Sequence, residues 1–353
     1  MTEPLRGIPA SRNLSPRTRL GWRTLQFAVW FLGAGIFAAL LFRPALGLHA
    51  FWDVLIPLAP ALFALAPGFW RNVCPLGSTA LSGRHAGVSR GRTPSQRTQG
   101  RLALLGLALL LAIVPLRHPL FDLSGFATAW VLAFLALLSV GAGLLFEWKS
   151  GWCSGLCPVH PVEKLYGRKP FFTVPNAHCA PCERCVAFCP DSTPGEDKHG
   201  LENGRRLAGT LLTGGFAGFI WGWFQVPDRT ADAGLGHLVS AYAWPWTGFL
   251  ASLLLFLFLR ERFPRWRPRL PRLFAAAAIA CYYWFRLPAL FGFGPFPGDG
   301  MLVDLRGSVP EALVPLSRMA TTAFFAWWIL IRPETARSWM IRPPFRVPER
   351  PAS

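Results

Sequence analysis

Long apolar runs limit most strongly what this chain can fold into. Residues 25–42 form a run that only Gln26 interrupts, and seven later stretches approach the roughly 20 apolar residues that a helix needs to cross a bilayer. No small-residue cleavage site follows the first run, so we expect it to be a retained helix. We therefore predict an all-α integral membrane protein with about eight transmembrane helices. The expected spans lie near residues 24–42, 51–69, 102–116, 123–146, 207–226, 238–259, 273–292 and 311–331.

The charge of the chain indicates the same class and predicts an orientation. The formal net charge is +18, yet only 15% of the residues are charged. A nucleic-acid-binding protein of this net charge would be richer in charged residues, so that class is excluded. With the N-terminus inside, thirty of the 36 Lys and Arg residues fall in inside segments. Because positive residues stay on the cytoplasmic side of short loops, we expect both termini in the cytoplasm.

The sequence divides into five segments by composition. Residues 1–19 and 332–353 are basic tails, which we expect to be disordered or to lie on anionic membrane lipid. Residues 20–146 and 207–331 each carry four of the predicted spans. Between them, residues 147–206 form the largest cytoplasmic segment and hold six of the eight cysteines. A small ferredoxin-like insertion is expected in this segment.

Two patterns predict how the helices pack. Gly214, Gly218 and Gly222 recur every four residues on one helix face, and such a face lets a neighbouring helix approach closely. Trp152, beside the cysteine segment, is expected to anchor at the membrane interface, a position that tryptophan favours.

The cysteine segment contains the run HCAPCERCVAFCP. Its C-x2-C-x2-C-x3-C-P spacing is that of bacterial ferredoxins, in which four thiolates converge on a [4Fe–4S] cluster from one short loop. Zinc sites usually place two C-x2-C pairs farther apart, and disulfides are disfavoured on the reducing side of the membrane. We therefore predict a [4Fe–4S] cluster bound by Cys179, Cys182, Cys185 and Cys189.

Two further cysteine–proline sites form an internal repeat. Cys74 and Cys157 each precede a proline, each follows a pair of predicted spans, and they are 83 residues apart. In the first copy Trp70 occupies the place that Cys153 holds in the second. This repeat indicates that a unit of two helices and a cysteine loop was duplicated, and it makes Cys74, Cys153 and Cys157 candidate ligands of a second cluster or metal site.

These motifs resemble the polyferredoxin-type membrane proteins of the NapH, NosR and CcoG kind. The resemblance covers roughly residues 20–195 and depends on the C-x3-C-P and ferredoxin cysteines. It implies electron transfer between the bacterial inner (cytoplasmic) membrane or the cytoplasm and a respiratory or metal-handling partner. The chain departs from that pattern in having one ferredoxin motif and Trp70 in place of a cysteine, which puts the number of clusters in doubt.

Two ligand arrangements are open. In the first, the four ferredoxin cysteines close one cluster among themselves and leave Cys74, Cys153 and Cys157 as a separate triad. In the second, Cys189 joins that triad, because the last cysteine of a ferredoxin motif ligates the other cluster in two-cluster ferredoxins. The first three motif cysteines then need another ligand, for which His178 and His160 are candidates.

Two arginines lie deep within the last two predicted spans. Arg286 and Arg318 are each fourteen residues from the arginine at the cytoplasmic end of their helix, about 21 Å by helix rise. Charged residues at such depth face a pocket or a partner. They are candidates for an outward-facing anion or quinone-headgroup site. The alternative is a structural pair with an acid of the connecting segment, which contains Asp299, Asp304 and Glu311.

The leading functional hypothesis is a membrane protein that relays single electrons through its cytoplasmic-side [4Fe–4S] cluster. Its expected redox partners are an acidic ferredoxin or flavodoxin, drawn to the positive face, or the quinone pool. One alternative is an assembly factor whose cluster reduces a metal ion, for example during copper delivery to an oxidase. Another is a transporter with a regulatory or structural cluster. The chain has no nucleotide-binding fingerprint.

Overall fold

The computed structural model describes residues 15–92, 94–146, 149–172, 174, 177–178, 203–228, 234–296 and 298–333. Over these residues the protein is helical and contains no β-strand. The four predicted ferredoxin cysteines lie outside the described residues.

The helices follow the order of the predicted spans, with short helices between them. They are α1 (Pro16–Phe42), α2 (Pro44–Leu65), α3 (Pro67–Val73), α4 (Pro75–Ala80), α5 (Gln96–Arg117), α6 (Gly125–Leu145), α7 (Lys149–Leu156), α8 (His160–Tyr166), α9 (Asn203–Trp223), α10 (Leu235–Arg262), α11 (Leu270–Leu290) and α12 (Leu313–Ile331). The whole of α7 and one stretch each of α2 and α12 have π-helical winding.

Seven helices in the described part of the chain are long and apolar enough to cross a membrane, namely α1, α2, α5, α6, α10, α11 and α12. Large apolar side chains such as Phe31, Leu137 and Phe258 are exposed on them, where lipid would make contact. The predicted all-α membrane class is confirmed. The predicted span at 207–226 is also a helix, α9, but it is not among the seven because its many glycines contribute little hydropathy.

The first helix begins earlier than predicted. Ser15 caps it, since the Ser15 side chain accepts a hydrogen bond from the Thr18 N–H at 3.1 Å. Pro16 occupies the first helical position, where the missing N–H costs nothing. Residues 16–19 are therefore helical, so the first helix begins within the predicted tail of residues 1–19.

The glycine-rich helix α9 packs closely along α10. A Cβ on Gly218 would overlap the carbonyl of Gly248, and one on Gly222 would overlap the carbonyl of Trp244. Gly214, on the same face of α9, lies against side chains of α10. The predicted packing face is confirmed, and its partner is a helix of the same chain.

The described half of the cysteine segment belongs to the helix bundle. Trp152 on α7 is only 1% exposed and packs with Ala80 and Ala142, so its predicted interfacial position is wrong. The small side chains of α4 and α6 leave a space that the indole ring fills. On α8, Val162 and Tyr166 join the largest buried apolar cluster. Both α7 and α8 therefore contribute side chains to the core.

The loop after each of the first two helix pairs packs against the other pair. The loop after α4 reaches the end of α6, where the Arg90 N–H donates to the carbonyl of Leu144 at 2.7 Å. The loop after α8 reaches the end of α2, where the Phe171 N–H donates to the carbonyl of Leu65 at 2.6 Å. This reciprocal contact is what a duplicated unit of two helices and a loop would form.

The bundle has two chemically different ends, and α5 runs between them. Near its start, Gln99 donates a hydrogen bond to the carbonyl of Ser154 at 3.0 Å, close to Cys157. At its other end, Arg117 pairs with Asp122. The 22 residues of α5 rise about 33 Å. We call these the cysteine end and the aspartate end. The loop between α10 and α11 lies at the cysteine end, because α9 and α10 are antiparallel along their glycine contact.

The contact between α9 and α10 leads to a stability prediction. Gly218→Leu has to push the two helices apart, and we expect it to lower the free energy of unfolding by about 1–3 kcal/mol. Gly209→Ala, on the same helix, is the matched control because an added Cβ there meets nothing within 4 Å. It should stabilise the protein slightly, since alanine favours helix more than glycine does. Equal effects of the two substitutions, measured by unfolding in detergent micelles, would contradict the contact.

Candidate functional site

Cys74 and Cys157 occupy similar local structures at the cysteine end. The Cys74 N–H donates to the carbonyl of Trp70 and the Cys157 N–H to that of Trp152, both at 2.9 Å. Each cysteine is followed by a proline and a new helical turn. The sulfur of each accepts hydrogen bonds from the backbone N–H groups two and three residues further along the chain. Hydrogen bonds to a sulfur stabilise its thiolate.

Burial acts in the opposite direction on both thiols. It raises the pKa of Cys74 to about 11, although the N–H groups of Leu76 and Gly77 oppose the shift. Burial, together with the nearby Cys74, raises the pKa of Cys157 to about 12. Without a bound cation, the thiols are therefore protonated at neutral pH. A metal ion would supply the positive charge that stabilises the two thiolates in this buried position.

A buried charged pair joins the segments that carry the two cysteines. Arg71 on α3 donates a hydrogen bond to Glu163 on α8, and both side chains are less than 10% exposed. The other Glu163 oxygen lies 3.5 Å from His160 Nδ1. Burial acts to raise the pKa of Glu163, but the attraction of Arg71 and the hydrogen bond with His160 outweigh it, so the pKa is lowered. Burial lowers the pKa of His160 to about 4.

The residues just before the ferredoxin motif are attached to the same place. The Ala177 N–H donates to the Asn72 side-chain oxygen at 3.0 Å, and His178 Nε2 donates to the carbonyl of Arg71 at 3.2 Å. Asn72 is two residues before Cys74, and the motif starts at the residue after His178. The chain therefore enters the motif beside the Cys74 loop.

The cysteine end supplies part of a ligand set. Cys74 and Cys157 are half-buried and close enough to interact electrostatically, and Cys153 and Cys157 both pack against the apolar cluster that contains Trp152. In the part of the chain that the structure describes, no three His, Cys, Asp or Glu side chains are arranged to hold a metal ion. Thiolates that accept N–H hydrogen bonds are the ligand chemistry of iron–sulfur clusters, so the pair fits a partial set.

The two candidate histidines bear on the choice between the ligand arrangements. His178 uses Nε2 for the Arg71 carbonyl, and its Nδ1 lies 3.5 Å from the Gln26 amide nitrogen. His160 is buried, with Nδ1 facing Glu163. Both nitrogens of His178 therefore have protein partners, and the choice between the two ligand arrangements stays a prediction.

Arg286 and Arg318 do not converge on one site. Arg286 is 3% exposed, and its guanidinium donates to the side chain of Asp53 and the carbonyl of Trp52, both at 2.8 Å. Arg318 donates to the carbonyl of Trp284 at 3.1 Å and lies over that indole ring. Trp284 and Arg286 are two residues apart on α11, so they point to opposite sides of the helix. The partner of Arg286 is Asp53, which lies outside the connecting segment that the sequence indicated.

Sequence reasoning missed the Arg71–Glu163 pair. Both residues were assigned to cytoplasmic loops, where charge is ordinary and carries no signal of burial. Their positions relative to the cysteine–proline sites were the signal that could have indicated the pair. Arg71 is three residues before Cys74, and Glu163 is six residues after Cys157.

No protein-family model, no curated protein and no solved structure matches this chain. The resemblance to polyferredoxin-type membrane proteins therefore stays a prediction from the cysteine motifs.

The Arg71–Glu163 pair leads to the second prediction. Glu163→Gln removes the carboxylate that Arg71 faces inside the bundle, and we expect a loss of about 3–5 kcal/mol in the free energy of unfolding at neutral pH. Because the pKa of Glu163 is lowered by folding, its stabilisation is present at neutral pH and is lost as the pH falls through the folded-state value.

Glu261→Gln is the control for this experiment. Glu261 pairs with Arg260 and Arg267 but is 70% exposed, so we expect a change within about 0.5 kcal/mol. The two variants would be compared by unfolding in detergent micelles across acidic and neutral pH. If the Glu163 and Glu261 variants lost the same small free energy of unfolding, the Arg71–Glu163 pair would not hold the two cysteine segments together.

Proposed function

We propose that this protein is a membrane-bound iron–sulfur electron-transfer protein of the bacterial inner membrane. It relays single electrons through a [4Fe–4S] cluster bound by Cys179, Cys182, Cys185 and Cys189 at the cytoplasmic side, with both termini in the cytoplasm. The observation that carries the proposal is the C-x2-C-x2-C-x3-C-P spacing of these cysteines. A respiratory or metal-handling protein would be the partner.

The position of the chain before the motif supports this proposal. Ala177 and His178 are hydrogen-bonded to residues 71–72, so the motif starts beside the loop that carries Cys74. This loop belongs to a bundle that contains seven candidate membrane helices. A redox centre at such a position would lie at the membrane edge, where a soluble partner can approach.

Cys74, Cys153 and Cys157 are the proposed ligands of a second cluster or metal site. The support for it is the pair of half-buried sulfurs, each with two backbone N–H donors. When bound, an iron–sulfur cluster supplies one-electron exchange. The chain contributes the N–H hydrogen bonds and the low-dielectric surroundings that set a reduction potential. The nearby Arg71–Glu163 pair adds little net charge, because its two charges oppose each other.

The first test of function is the iron content of anaerobically purified protein. Wild-type protein should contain about four irons and four acid-labile sulfides per chain, or about eight of each if the second cluster is present. Cys182→Ser should remove the reduced-state electron paramagnetic resonance signal of the [4Fe–4S] cluster that the motif binds. Cys281→Ser is the matched control, since Cys281 is packed against the apolar core within α11. Wild-type protein without iron would overturn the proposal, and about four irons would exclude the second cluster.

A partner with an acidic surface fits the cysteine end. The last turn of α10 and the loop that follows it carry five arginines with one acid, Glu261, among them, and all but Arg260 are exposed. They are Arg260, Arg262, Arg265, Arg267 and Arg269. Such a surface attracts an acidic carrier such as a small ferredoxin or flavodoxin and accelerates its association.

The attraction predicts a salt-dependent rate. Electron transfer between this protein and an acidic ferredoxin should slow as ionic strength rises, because salt screens exposed charges beyond about 10 Å. Replacing Arg265 and Arg269 with Gln should lower the association rate at low salt by up to about tenfold. Arg43→Gln removes an exposed charge at the aspartate end and should leave the rate unchanged. A rate that is independent of salt would exclude this docking surface, whereas loss of the cluster itself would appear in the iron content.

A further inference from the structure

The aspartate end holds a second network of buried charged residues, remote from the cysteines. Arg117 and His118, at the end of α5, are 3% and 4% exposed. Asp122 follows in the loop to α6, and Asp228 follows α9. The Arg117 Nε donates to both oxygens of Asp122, at 3.0 and 2.9 Å. The network therefore connects the α5–α6 loop with the segment after α9.

Both ring nitrogens of His118 face oxygen atoms. Nδ1 lies 2.6 Å from a carboxylate oxygen of Asp228, and Nε2 lies 3.1 Å from the carbonyl of Trp223. A carbonyl can only accept, so Nε2 is the donor in that contact. A neutral imidazole has a single N–H. The short contact with Asp228 therefore needs a further proton, carried by His118 or by the carboxyl group.

A third titratable group extends this chain of hydrogen bonds. The carboxyl groups of Asp122 and Asp228 lie close enough to act on each other's charge, and a hydrogen bond between them forms only when one carries a proton, because two carboxylates have only acceptors. Burial raises the pKa of Asp122, against the attraction of Arg117. Burial also acts to raise the pKa of Asp228, but the hydrogen bond with His118 outweighs it and the pKa is lowered. The two carboxyl groups titrate as a unit.

The surrounding charges leave the network negative. The groups that face it from the packed elements are Asp53, Tyr282, Arg286 and Asp299. With His118 protonated, three cationic side chains oppose four carboxyl groups. The fourth of these carboxyl groups, that of Asp299, accepts a hydrogen bond from the Asp228 N–H at 2.7 Å, which holds it beside Asp228. Proton binding therefore relieves repulsion among buried carboxylates.

We propose that Asp122, Asp228 and His118 form a proton-binding site that is loaded from the compartment facing the aspartate end. The bound proton joins the α5–α6 loop to the segment after α9, and so holds the first and second halves of the chain together at this end. Asp228 is the entry point, because its side chain is 19% exposed whereas that of His118 is 5% exposed.

The test is the pH dependence of reversible unfolding in mixed detergent micelles. A carboxyl whose pKa is raised by folding keeps its proton after the unfolded chain has released its own, so its contribution to stability falls as the pH rises from about 4 towards the folded-state value, and the difference between wild type and variant measures it. One proton changes the unfolding equilibrium constant tenfold per pH unit. Asp122→Asn should remove this one-proton dependence, since its amide can donate permanently to Asp228. Retention of the full dependence in this variant would overturn the proposal.

Asp304→Asn is the matched control and should keep the dependence of the wild type. Asp304 is at the same end of the bundle but pairs with Arg306 at the surface. A second measurement does not depend on any variant folding. Infrared spectra of the wild-type protein between about pH 5 and about pH 9 should show a buried protonated carboxyl that is lost as the pH rises. Absence of that band at every pH would mean that no carboxyl holds the proton, and the proposed site would have to be abandoned.

Discussion

Pairing of buried charge is the constraint on which this bundle depends. An isolated ion inside a low-dielectric helix bundle costs several kcal/mol, so it is tolerated only where a partner and additional hydrogen bonds compensate it. Three deeply buried cations meet this requirement: Arg71 faces Glu163, Arg286 faces Asp53, and Arg117 lies among Asp53, Asp122 and Asp228. Most of the remaining interior is apolar and could be packed in several ways.

These contacts also specify which parts of the chain meet. Arg71 and Glu163 are 92 residues apart in sequence. The separation is 110 residues for His118 and Asp228 and 233 residues for Arg286 and Asp53. A slipped or exchanged helix would leave a charge in the core without its counterion, at a greater cost than a lost apolar contact. The glycine contact between α9 and α10 adds a steric condition, because no side chain fits at Gly218. Charge and close packing together select one arrangement.

The sequence predicted what depends on local pattern. Apolar runs gave the helices, and the spacing of Gly214, Gly218 and Gly222 gave the face of α9 that packs. Local pattern could not predict the burial of Trp152, because that burial depends on small side chains of α4 and α6 that are distant in sequence. The pairs at Glu163 and Asp122 were missed for the same reason: a charge in a short loop has the same sequence pattern whether it is solvated or buried. The roles of residues 179–189 stay predictions.

The distance between the two ends limits how they can influence each other. Across the roughly 33 Å of α5, one unit charge changes the energy of another by about 0.5 kcal/mol at an effective dielectric constant of about 20. That is about a twofold effect on an equilibrium. A proton on Asp122 or Asp228 therefore cannot set the reduction potential of a cluster at the cysteine end through its field alone. Stronger coupling requires a helix that moves between two positions. The glycine contact between α9 and α10 opposes such motion, so a proton at the aspartate end would act on the stability of the bundle there and not on the redox centre proposed at the cysteine end.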